Sequence, residues 1–148
     1  MPSQDIAIAD TSVLIAFEKI RMLDKLCKVY NDITLPKAVY NEYSGSTQNC
    51  FTLKEAPPKF ASFLIYNIGL GVGESEVLSL AYQTGIKVLI DDIKARKIAF
   101  DLGCTVSGTI GVLCKMENKG IIDSAYNEAM NLKLYGFHIS DKILNEIS

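Results

Sequence analysis

The chain has 148 residues, 49% of them hydrophobic, with a formal net charge of −2 and one histidine. That length suits one domain, spanning 1–148, that buries about two-thirds of its unfolded surface. The charge excludes a generic basic nucleic-acid binder whose affinity comes from a field over its whole surface, so any nucleic-acid contact must be local. Apolar runs such as residues 61–68 fall far short of the ~20 residues a membrane-spanning helix needs. Residues 1–5 lack the basic start and apolar stretch of a signal peptide, which makes a cytoplasmic location the expectation.

In chain order, Ile6-Ala7-Ile8-Ala9 reads as a short buried strand. Asp10-Thr11-Ser12 then form a turn into a helix carrying Val13, Leu14, Ala16 and Phe17. A charged and apolar stretch over residues 21–29 ends at the turn signal Asn31-Asp32, and residues 33–35 form a second strand. Pro36 suits the first position of a helix that turns Ala38, Val39, Glu42 and Tyr43 to one side. Residues 45–49 with Pro57-Pro58 read as a loop-rich connection, residues 60–68 as a helix turn or a strand, and residues 69–73 as a flexible loop. A helix over residues 74–83 buries Val77, Leu78, Leu80 and Ala81 and stops at Gly85.

Residues 87–90 form a buried strand ending in Asp91-Asp92, followed by a helix with Ile93, Ala95, Ile98, Ala99 and Leu102 that stops at Gly103. Thr105-Val106 is a last short strand, and helices follow over residues 109–117, 123–133 and 141–147. Strands alternating with helices predict an α/β fold, a central parallel sheet covered on both faces. Cys27, Cys50, Cys104 and Cys114 lie far apart with no CxxC, so they read as structural thiols and not as a zinc set. His138 reads as a surface or packing residue, which leaves histidine-based acid–base chemistry with almost no raw material.

In an open parallel sheet, ligands bind beyond the carboxyl ends of the strands. Asp10 and the pair Asp91-Asp92 occupy that place on two strands, Glu74 opens a helix after a Gly-rich loop, and Glu42 lies on the flank of another helix. Carboxylates gathered from these segments would raise one another's pKa unless a cation neutralised them. An all-oxygen set suits Mg²⁺ or Mn²⁺, whose waters supply a nucleophile without histidine. Taken singly, each acid has a plainer reading: Asp10, Thr11, Ser12 or Asp92 as helix caps, Glu74 as a dipole-favoured first-turn residue, Glu42 as a solvated one. Lys94, Arg96 and Lys97 either hold substrate phosphates or form a solvated helix face.

These segments resemble the PIN-domain family, especially its VapC-like prokaryotic branch. The resemblance rests on Ile8-Ala9-Asp10-Thr11-Ser12-Val13-Leu14-Ile15, Leu35-Pro36-Lys37-Ala38-Val39-Tyr40-Asn41-Glu42 and Gly73-Glu74-Ser75-Glu76 with Leu80-Ala81. It continues through Val88-Leu89-Ile90-Asp91-Asp92, Ala95-Arg96, Ala99 and Gly108-Thr109-Ile110-Gly111-Val112-Leu113. It implies a three-layer α/β/α domain that cleaves RNA with Mg²⁺ or Mn²⁺. Asp10, Glu42, Glu74 and one or both of Asp91 and Asp92 would form the acidic centre, with Thr11 or Ser12 supporting Asp10 and Arg96 and Thr109 in supporting or substrate-contacting places. Counting back from Ala95-Arg96 favours Asp92, and matching the strand end favours Asp91. Glu74 stands where many relatives carry aspartate, which preserves charge and extends reach. The family also implies homodimers and, for many members, a small antitoxin that occupies the cleft.

The main rival is a catalytically silent module of the same fold that binds or regulates. A haloacid-dehalogenase-type phosphatase would need a second aspartate where Ser12 stands, and a receiver domain would carry its acidic pair near the first strand. Gly69, Gly71 and Gly73 miss the G-x-G-x-x-G of a dinucleotide-binding domain.

Overall fold

A computed structural model of the protein describes residues 5–148. Residues 1–4, which contribute to the signal-peptide reading, lie outside the described residues. Five strands form one all-parallel sheet in the order β3-β2-β1-β4-β5. They are β1 (Ile6–Ala9), β2 (Asp32–Pro36), β3 (Phe51–Lys54), β4 (Lys87–Leu89) and β5 (Val106–Ser107). Ala7, Ile8 and Ala9 are fully buried, as are Val88 and Leu89. A central parallel strand is covered on both faces, so it carries a continuous apolar run with no alternation.

The helices are α1 (Thr11–Lys19), α2 (Leu23–Val29), α3 (Lys37–Glu42), α4 (Pro58–Phe63), α5 (Val72–Thr84), α6 (Ile93–Asp101), α7 (Thr109–Asn118), α8 (Ala125–Leu134) and α9 (Asp141–Ile147). Helix α5 packs across β1, β2 and β4 and touches α3, α4 and α6. In the other group α1 packs on α2 and α7, α7 on α8, and α8 on α9. The result is the three-layer α/β/α arrangement, and its core runs without a break from Phe17 and Leu26 through the sheet to Leu78 and Leu80.

Several elements differ from the sequence reading. Residues 51–54, inside the loop-rich connection, form the edge strand β3; Thr52, Leu53 and Lys54 are all exposed, so the segment has neither a buried run nor an alternation to betray it. Residues 60–68 are helical: α4 continues into a π-helical turn, Leu64–Ile68, which Gly69 ends with φ +83°. Helix α5 starts at Val72, so the end of the supposed loop is its first turn. Pro36 closes β2 and stands one place before α3, at the cap and not at the first helical position. The last strand is shifted by one, to Val106–Ser107.

The cysteines need a correction. Cys27 and Cys50 form a disulfide with Cα atoms 5.7 Å apart that ties α2 to the lead-in of β3, while Cys104 and Cys114 are free thiols. Sequence spacing cannot reveal this pairing, because folding alone brings the two segments together. Among the described residues, no helix is long and apolar enough to cross a membrane.

Candidate functional site

All strands run the same way, but the order in which they are laid down reverses between β1 and β4: the chain fills β1, β2 and β3 to one side, then returns to place β4 beside β1. The backbone N–H of Asp10 donates to the Leu89 carbonyl at 3.0 Å, closing the two strands at their carboxyl ends. A cleft of about 650 Å³ opens at this point, lined by Asp10, Glu42, Glu74, Asp91 and Asp92 together with Thr11, Ser12, Ile15, Gly71, Val72, Gly73 and Ile93. This is the topological switch point at which open α/β sheets bind ligands. All five acids singled out in the sequence therefore face one cavity. Ile93, expected on the periodic face of α6, is instead 82% exposed at its edge.

Asp10 is only 5% exposed. It stands at the start of α1 without closing the usual cap bond; its Oδ2 accepts from the Ser12 hydroxyl at 2.9 Å. Ser12, rather than Thr11, is thus the hydroxyl that supports it. The Thr11 hydroxyl is buried and has no partner among the described residues. Burial pushes the Asp10 carboxyl above its ordinary range; the Ser12 hydroxyl and the nearby N–H groups of Thr11 and Ser12 oppose that, and the charge of Glu42 adds to it.

Glu74 lies in the first turn of α5, and its Oε1 accepts from the Gly71 N–H at 3.3 Å. Burial raises its carboxyl as well, and so do the charges of Asp92, Asp10 and Glu42. Glu42 thus acts on both Asp10 and Glu74, and Asp92 on Glu74.

Asp91 is more firmly held. Its Oδ1 accepts from the Thr109 N–H at 2.7 Å and its Oδ2 from the Thr109 hydroxyl at 2.6 Å, which fixes it to the N-terminus of α7. Asp92 caps α6 by accepting from the Ala95 N–H at 2.9 Å, as its plainer reading supposed. Glu42, the last residue of α3, is exposed to the cleft. Its Oε2 leaves so little room that a Cβ on Gly73 would come within 3.1 Å. Arg96 turns back over the sheet edge, its Nη1 3.5 Å from the Ile90 carbonyl, and a Cβ on Gly108 would meet both that nitrogen and Asp91. Lys94 extends toward Gly69 beside the cleft.

Gly73 and Gly108 are site-shaping residues that the sequence reading mentioned only within motifs; their place before an acidic motif and before Thr109 was the available signal. His138 is exposed, in keeping with its surface reading.

The donor set is oxygen throughout, which suits a hard divalent cation. No lysine or arginine forms an ion pair with any of the five acids among the described residues. Nor do three histidines, cysteines or acids among those residues converge as a closed ligand set. A cation such as Mg²⁺ takes one or two carboxylates and keeps several waters, so closure by three is not a requirement. A buried, uncompensated Asp10 beside an unpartnered Thr11 hydroxyl fits such an ion and its waters.

The PIN-domain family model DUF3368 matches residues 6–148. No curated protein matches the chain significantly. The chain belongs to the PIN-domain family, a nuclease-type fold whose members typically use divalent metals and bind nucleic acid.

Proposed function

We propose that the protein is an endoribonuclease that hydrolyses RNA phosphodiester bonds with Mg²⁺ or Mn²⁺, acting in the cytoplasm as the VapC-like toxin of a toxin–antitoxin pair. One observation carries the reading: five acids from four separate segments line a single cleft at the sheet's switch point, with no basic side chain paired to any of them among the described residues. Residues 1–148 form one nuclease domain on this reading, which the family match over residues 6–148 supports.

Asp10, Glu42, Glu74 and Asp92, which line the one cleft, would hold the ion between them, one or two as direct ligands and the others through its waters. Asp91, tied by both oxygens to Thr109, would brace the cleft wall and lend a remaining lone pair. A divalent ion bound there supplies Lewis acidity and a water made nucleophilic at neutral pH. Ser12 holds Asp10 in register. The unpartnered Thr11 hydroxyl beside Asp10 is buried, so the partner it could take is an enclosed water. Lys94 and Arg96, flanking the acids, would receive the substrate backbone.

The decisive assay is cleavage of single-stranded RNA with Mg²⁺ or Mn²⁺ by the parent protein, Asp10→Asn and Asp91→Asn/Asp92→Asn. Activity in the parent that falls at least a hundredfold in both variants supports the reading. A folded parent that binds RNA without cutting it leaves the silent binding module in its place. An antitoxin reading frame beside the gene and a solution mass of two chains test the antitoxin and homodimer parts.

A further inference from the structure

Helix α3 delivers Glu42 to the cleft, yet it has only six residues, and short helices owe their placement to tertiary contacts more than to propensity. Its first turn leaves backbone N–H groups without intrahelical partners, and Pro36, at the cap position, has no side-chain acceptor to offer them. The partner comes from elsewhere. Glu76, half-buried on α5, reaches across with its carboxylate and accepts from the Ala38 N–H at 2.9 Å. The negative charge lies at the positive end of the helix, where the dipole favours it.

A second contact joins the same pair of helices. The bare α-carbon of Gly73 faces α3 so closely that a Cβ there would stand 3.1 Å from Glu42 Oε2 and 3.6 Å from a methyl of Val39. Two members of the Gly73-Glu74-Ser75-Glu76 segment thus fix α3: Glu76 grips its beginning, and Gly73 lets its end come close. Glu74 between them lines the cleft itself.

We propose that Glu76 is a positioning residue that, by capping α3 from α5, sets where the Glu42 carboxylate stands at the acidic cleft. The proposal rests on the metal-dependent reading of that cleft, and Glu76 itself is not among the residues that line it.

Mn²⁺ affinity of the purified protein, measured by calorimetry without RNA, tests this directly. Glu76→Ala should weaken Mn²⁺ binding about tenfold, as loss of an outer partner of a metal ligand typically does. Glu76→Gln keeps an acceptor oxygen of the same reach and should stay within about threefold of the parent. Glu76→Asp keeps the charge but falls short of Ala38, so it should behave like the alanine variant. In a Glu42→Ala background, Glu76→Ala should cause no further loss. With RNA present, kcat should fall while KM stays near the parent value.

Parental Mn²⁺ affinity in Glu76→Ala would overturn the proposal, as would an equal loss when Glu42 is already absent. A parent protein that binds no Mn²⁺ removes the metal reading instead, and amide exchange then decides the positioning. Faster exchange at Ala38 and Tyr43 in Glu76→Ala, restored in Glu76→Gln, upholds it; unchanged exchange ends it.

Discussion

Gly108→Ala is a sharp test of how the cleft wall is built. The backbone of Gly108 is extended, φ −103° and ψ −178°, so alanine brings no backbone strain and the effect isolates the new methyl group. That methyl would stand 2.5 Å from Arg96 Nη1 and 2.7 Å from Asp91 Oδ1. An ordinary carbon–oxygen contact is about 3.3 Å or longer, so each neighbour has to retreat by roughly half an ångström or more. Arg96 can do so cheaply, because it is exposed and its bond to Ile90 is already 3.5 Å long. Asp91 cannot, since moving Oδ1 stretches the 2.7 Å bond from the Thr109 N–H and levers the other oxygen away from the hydroxyl. Losing one hydrogen bond to a charged group costs about 1.5 kcal/mol, and alanine in place of glycine at a helix cap adds about 0.5 kcal/mol. Thermal denaturation should show Tm lowered by about 4–8 °C. RNA cleavage with Mn²⁺ should slow about 10- to 100-fold, as misplacement of a site group commonly does. Adding Arg96→Ala should not restore it, because the clash with Asp91 remains. Parental Tm and kcat in Gly108→Ala would refute the picture of a clamped Asp91.

Asp10→Asn should raise the Tm of the metal-free protein near pH 7. Burial holds the Asp10 carboxyl above its ordinary value, so the folded state keeps that proton more tightly than the unfolded chain. Its favourable contribution is full below the unfolded value and disappears as pH rises through the folded one; the variant's advantage in denaturation scans should therefore shrink on acidification, and an advantage that grows would contradict this. Saturating Mn²⁺ should reverse the order by stabilising only the parent, since an ion bound to the folded state alone adds to its stability. Thr109→Val keeps the shape of a buried residue but deletes the 2.6 Å bond to Asp91. It should cost about 1 kcal/mol by urea titration, because the exposed carboxylate regains water, and a loss above about 3 kcal/mol would point to a core role instead. Reducing the Cys27–Cys50 disulfide, which links residues 23 apart, should cost about 3 kcal/mol in the same titration if chain entropy governs it. Equal midpoints with and without reductant would show that the link adds nothing.

The legible parts of the sequence were those whose physics is local. Ile6–Ala9 and the run Val88-Leu89-Ile90 before Asp91 announce buried parallel strands because each is apolar without alternation, and an acid directly after such a strand is pointed at the ligand-binding edge. Gly85 ends α5 in the left-handed conformation its position suggested, with φ +75°. What stayed hidden depends on contacts between distant segments. Strand β3 is an edge strand with three exposed residues in a row, and only its pairing with β2 makes it a strand. The choice of Ser12 over Thr11, the Thr109 clamp on Asp91, the Glu76 cap on α3 and the cysteine pairing all arise after the chain has folded back on itself. No periodicity encodes them.

The arrangement also explains how so many like charges share one cleft. Asp10 stands at the start of α1, Glu74 in the first turn of α5, Asp92 at the cap of α6, and Asp91 on the first N–H of α7. Four helix N-termini therefore converge on the cavity, and each presents its partial positive charge to one acid. Glu42 is the exception. It sits at the C-terminal end of α3, where the helix dipole opposes a negative charge, and no basic side chain is paired with it among the described residues. The acid least favoured by its own helix is the one whose helix is gripped from outside by Glu76 and whose carboxylate has room only because Gly73 carries no Cβ. A contact maintained against the local electrostatics has to be supported by tertiary structure, and it gains most when a cation enters the cleft.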